Sequence, residues 1–94
     1  MSKITQALEE VRTQYETAVL DEAADAEGHA KADTVYRETV AGKGLESVEA
    51  RQCDLAREVA RAVVERSHNR RVGLEVTVAL LTDAETRLAA ANQA

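Results

Sequence analysis

The chain has 94 residues, with 12 Lys and Arg against 17 Asp and Glu and a formal net charge of −5; that is one domain at most, without the basic balance usual in a nucleic-acid binder. Apolar residues make up 45%, but 18 of them are Ala and there is no Phe or Trp, so an isolated copy buries little area. A single Cys excludes an intrachain disulfide, no apolar run reaches the length of a membrane span, and MSKITQALEE lacks a signal-peptide pattern, so a soluble cytoplasmic protein is expected.

The absence of Pro and the wealth of Ala, Glu, Leu and Arg predict long helices. Helix 1 is expected over about residues 3 to 40, with Ser2 as its N-cap. Ile4, Leu8, Val11, Tyr15 and Ala18 follow a 4-3-4-3 spacing, a heptad seam. The seam is then expected to shift to Val19, Ala23, Ala26 and Ala30. No large apolar side chain occurs between residues 21 and 34, so this stretch is either a solvated helix or a tight Ala-on-Ala contact. Residues 1 to 40 hold nine acids and four bases, whereas residues 41 to 94 hold eight of each, so the charge excess lies on helix 1.

Gly42 and Gly44, in AGKG, are the strongest break in the pattern and predict a turn over 41 to 45. Helix 2 is expected over about 46 to 92. A turn centred near residue 43 folds the helices into an antiparallel hairpin in which facing residue numbers add to about 86. That register sets Ala23 against Val63, Ala26 against Ala60 and Ala30 against Ala56. It also brings the acids Glu16, Asp21, Glu22 and Asp25 towards Arg70, Arg66 and Arg61.

Helix 2 has two unusual stretches. SHNRRVG, residues 67 to 73, combines poor helix formers with adjacent arginines, and a kink there is an open alternative. RRVGLEVTVALL, residues 70 to 81, alternates like a strand, yet no other segment alternates to pair with it. Read as helix, Leu74, Val78, Leu81, Ala84 and Leu88 form one stripe, and Val72, Val76, Ala79 and Leu80 form a second. Helix 1 covers only one of them. Val72, Leu74, Val76, Val78, Leu80 and Leu81 are therefore the expected self-association core. The expected fold class is all-α: an antiparallel two-helix hairpin that dimerises into a four-helix bundle.

Arg57, Arg61, Arg66, Arg70 and Arg71 form the candidate nucleic-acid contact, but without interleaved aromatics they read first as partners of the acids on helix 1. Glu65 and His68 have the Glu-x-x-His spacing of ferritin-like di-iron bundles, which leaves a metal-binding hairpin as a further alternative; the neighbouring arginines oppose a cation. His29 lies four residues from both Asp25 and Asp33 and reads as part of a solvated face. Thr82 and Glu85 have capping-box spacing, with a mid-helix Thr the preferred reading. Tyr36 is expected to pack near the hairpin tip, and Cys53 to be a small, partly buried residue without reactivity. No nucleotide-binding or nucleophile motif is present, and a two-helix hairpin offers no enclosed cleft. No enzymatic activity, metal or cofactor is expected.

Tyr36-Arg37-Glu38, Gly44-Leu45-Glu46-Ser47-Val48-Glu49-Ala50-Arg51 and Ala56 resemble small helical-hairpin, coiled-coil accessory proteins of tailed bacteriophages, especially actinobacteriophages. The shared features are a Gly-containing turn, a Val-x-x-Arg and an Ala-, Arg- and Glu-rich second helix, over about residues 30 to 70. The resemblance implies a non-enzymatic accessory protein in the host cytoplasm, found alongside phage replication and recombination functions. It carries over no functional residue. The chain is thus expected to bind itself and another protein, with nucleic acid the less favoured partner.

Overall fold

A computed structural model describes residues 2 to 93. Among the described residues there are two helices and no strand: α1, Lys3–Lys43, and α2, Val48–Gln93. The protein is an all-α helical hairpin.

Side chains and one glycine set the ends of the helices. The Ser2 hydroxyl accepts the Thr5 amide at 3.1 Å, which makes Ser2 the N-cap of α1. Thr5 in turn donates to Glu85 Oε2 at 3.0 Å and ties the cap to α2. At the other end Gly44 has φ +95, a conformation that side chains with a Cβ rarely adopt, and its amide donates to the Val40 carbonyl at 2.9 Å. Gly42 stays within the helix, so α1 runs to Lys43 rather than stopping near residue 40. Ser47 then caps α2: its hydroxyl donates to the Gly44 carbonyl at 2.8 Å and accepts the Ala50 amide at 3.1 Å.

A turn placed two to three residues later changes the register. Thr5 meets Glu85, Glu22 meets His68 and Asp33 meets Arg57, so facing numbers add to 90 instead of 86. The difference is about one helical turn. The expected contacts of Ala23 with Val63, Ala26 with Ala60 and Ala30 with Ala56 are therefore not made. Ala23, Ala26 and Ala30 are exposed.

The inward row of α1 does not shift to those alanines. The heptad begun at Ile4, Leu8, Val11, Tyr15 and Ala18 continues with Glu22, Asp25, His29, Ala32, Tyr36 and Thr39, each half-buried. Three of the polar side chains at these places, Glu22, Asp25 and Thr39, have partners on α2. Asp25 accepts from the Ser67 hydroxyl, and Glu22 Oε1 lies 3.1 Å from His68 Nδ1. The inward row of α2 is Ala50, Cys53, Arg57, Ala60, Val64, Ser67, Arg71, Leu74, Val78, Leu81 and Glu85, with the same spacing.

The chain divides into two compact units. One joins residues up to Leu20 with those from Asn69 onward; the other is Asp21–His68. In the first, the inward residues are mainly large and apolar, and Leu8 and Ala18 are each 1% exposed. In the second, Ala50 is buried to the same degree and most other inward positions are small or polar.

The strand-like stretch 70 to 81 is helical, and α2 is unbroken through residues 67 to 73. Its β-branched threonine is accommodated by a hydroxyl that donates one turn back, from Thr77 Oγ1 to the Gly73 carbonyl at 2.9 Å. Thr82 does the same to Val78 at 2.7 Å, so it is a mid-helix residue and caps nothing.

Candidate interaction surface

Helix periodicity places most of the large apolar residues of α2 in two rows, with Val48, Val63, Val72 and Leu88 exposed outside both. Stepping two residues on from each inward position turns about 200° round the helix, onto the opposite side. Leu55, Val59, Ala62, Val76 and Leu80 stand there, and all are exposed. Leu55, Val59 and Leu80 keep 63%, 65% and 66% of their surface in water, and Val76 keeps 53%. The equivalent outward side of α1 carries Glu10, Thr13, Thr17, Glu27, Lys31, Thr34 and Glu38, with Leu20 as its large apolar residue. The two helices thus differ in what they offer to solvent.

The six residues expected to drive self-association fall on both sides. Leu74, Val78 and Leu81 are half-buried on the inward side of their unit, whereas Val72, Val76 and Leu80 are exposed. Leu55 and Val59 belong with the exposed set although the sequence reading left them out. The signal was present: counting back from Leu80 and Val76 in steps of three and four reaches Gly73, Asn69, Arg66, Ala62, Val59 and Leu55. Arg66 and Asn69 interrupt the hydrophobicity but not the spacing.

The five arginines do not form one surface. Arg57 is half-buried. Its guanidinium reaches Asp54 at 2.6 Å and Asp33 at 3.3 Å, and it lies 3.9 Å from the centre of the Tyr36 ring. This cation–π contact is the role of Tyr36 near the hairpin tip. The hydrogen bond that Arg57 donates to Asp54 raises the Arg57 pKa above its usual value; partial desolvation opposes it and the bond to Asp33 adds to it. Arg57 is therefore a fixed, neutralised charge. Arg71 pairs with Glu75 at 3.1 Å, and Arg70 is exposed. Arg61 and Arg66 are exposed, but five residues apart they point about 140° away from each other. The five arginines are thus spread round α2 rather than gathered on one side.

The polar centre of Asp21–His68 is the other feature with chemical content. His29, Asp33, Arg57, Glu58 and Arg61 line a shallow concavity open to solvent. Its lining carries charges of both signs. Glu65, half of the Glu-x-x-His spacing, is exposed, while His68 turns to Glu22. Among the described residues no group of three or more His, Cys, Asp and Glu side chains is placed to hold a metal ion. Cys53 is half-buried, with Thr39 Oγ1 at 3.5 Å from its sulfur. Among the described residues no helix is long and apolar enough to cross a membrane.

No protein-family model, no curated protein and no solved structure matches the chain.

Proposed function

We propose that this protein is a non-catalytic, self-associating module that binds another protein, and that it is a bacteriophage accessory protein working in the host cytoplasm. The supporting observation is the exposed row on α2. Leu55, Val59, Val76 and Leu80 are each more than half in water. Apolar area of this kind, repeated at helical spacing, stabilises an assembly when a second helix covers it.

Surface area supports the same reading. The chain exposes 6804 Å², against roughly 5300 Å² for a folded monomer of its mass. Only three side chains are buried among the described residues. Two helices alone supply a thin core, and small scaffolds without disulfides or metals gain stability by association. The phage assignment rests on the resemblance carried by Gly44 to Arg51, and the outward, acidic side of α1 is the part left for a different protein.

Light scattering at micromolar concentration tests the proposal. The unaltered chain is expected at twice its 10.2 kDa mass, and Val76→Glu at or near the monomer mass with its helicity kept. A monomer mass for both proteins would defeat the self-association reading.

A further inference from the structure

We infer that the partner of the exposed α2 row is the same row of a second copy, running antiparallel, with Val59 of one chain packed on Val76 of the other. The inference rests on the self-association proposed above and specifies its geometry. It follows from how the outward residues of α2 match when the helix is paired with itself.

The outward row reads Gln52, Leu55, Val59, Ala62, Arg66, Asn69, Gly73, Val76, Leu80 and Asp83, all exposed. Its steps alternate between three and four, the spacing of a two-helix seam. In an antiparallel pair each seam residue faces one whose number makes a constant sum. With Val59 on Val76 of the partner copy, that sum is 135. Leu55 then meets Leu80, Ala62 meets Gly73 and Arg66 meets Asn69. Large apolar residues meet large apolar residues, small meet small, and the one internal charge meets an amide whose carbonyl accepts from the guanidinium. Gln52 faces Asp83 at the margin.

Other alignments lose this match. Sliding the partner by one heptad sets Val59 against Asn69 in one direction and against Asp83 in the other. A parallel pair in register stacks Arg66 on Arg66 and Asp83 on Asp83, which like charges disfavour. Glu65 and Arg66 have no ion pair with the described residues of their own chain, so pairing at this level breaks no ion pair already made. Gly73 also fits this arrangement. It lies inside α2, and a Cβ built on it meets nothing within 4 Å in the single chain. The space in front of it is therefore free for Ala62 of a second copy, and two small residues let the helices approach closely.

Disulfide trapping tests the alignment separately from the association. Cys53→Ser removes the native thiol. In that background Val59→Cys and Val76→Cys are made singly and mixed under oxidised glutathione, with the mass of the unaltered chain measured alongside. The mixed disulfide dimer should form readily. Val59→Cys alone should not link to itself, because the two copies of position 59 lie 17 residues apart along the pair, about 25 Å. A dimer mass with self-linkage of Val59→Cys, or with no mixed linkage, overturns the antiparallel alignment and leaves self-association standing. A monomer mass for the unaltered chain overturns both.

Discussion

The two compact units follow one heptad spacing with different chemistry. In the unit formed by the chain ends, Ile4, Leu8, Val11 and Tyr15 on α1 and Leu74, Val78 and Leu81 on α2 occupy the inward places. In Asp21–His68 the same places hold Glu22, Asp25, His29 and Thr39 on α1, with Cys53, Arg57 and Ser67 on α2. Apolar inward residues contribute stability in proportion to buried area and tolerate a slip of one turn. Polar inward residues contribute less, but a slip leaves them without partners, and that is how they fix a register. The comparison separates what holds the hairpin closed from what tells it where to close.

The largest effect is expected in the apolar unit. Leu8 is 1% exposed, and Leu8→Ala should cost about 3 kcal/mol by lost burial and a residual cavity. Urea unfolding followed by circular dichroism, at fixed protein concentration because association also stabilises, measures it. A loss under 1 kcal/mol would show that the apolar unit does not carry the stability.

The turn ranks next. Gly44→Ala forces a Cβ into φ +95 and should destabilise by about 1–2 kcal/mol. Gly42→Ala is its internal control. Gly42 is helical, and a Cβ added there meets nothing within 4 Å, so the same replacement should stabilise by about 0.5–1 kcal/mol. Equal effects at both glycines would remove the reason given for the register.

How much of this the sequence disclosed differs between the two units for a physical reason. The apolar seam from Ile4 to Ala18 was legible because hydrophobic spacing is a direct signal of an inward face. Helix over 70 to 81 was legible by elimination, since a strand there had nothing to pair with. The seam from Glu22 to Thr39 was not legible: Glu, Asp and His at inward places look the same in sequence as a solvated face, and the alanines beside them look more like a core. The register was missed by one turn because either glycine in AGKG can end a helix. The choice depends on which adopts positive φ, and Ser47 confirms that choice only once its bonds to Gly44 and Ala50 are known. On the candidate surface, Val76 and Leu80 were legible, whereas Leu55 and Val59 were hidden behind Arg66 and Asn69, which keep the spacing while breaking the hydrophobicity.

The smallest effect sharpens the comparison most directly, because it reads both units in one sample. Cross-helix contacts in Asp21–His68 include the ion pair of Arg57 with Asp33 at 3.3 Å, and His68 Nδ1 lies 3.1 Å from Glu22 Oε1. In the other unit most inward side chains are apolar, with the Thr5–Glu85 hydrogen bond at 3.0 Å among its polar contacts. Raising sodium chloride from 0.1 to 1 M shortens the screening length from about 10 Å to about 3 Å. Partly exposed pairs are weak, so amide exchange within Asp21–His68 should quicken by about twofold at most. Exchange at the amides of Val11, Tyr15, Leu74 and Val78 should hold steady, since apolar burial has no charge to screen. Equal acceleration in both units would mean that the polar places contribute no electrostatic closure. Their role would then reduce to filling space with side chains that happen to be hydrogen-bonded.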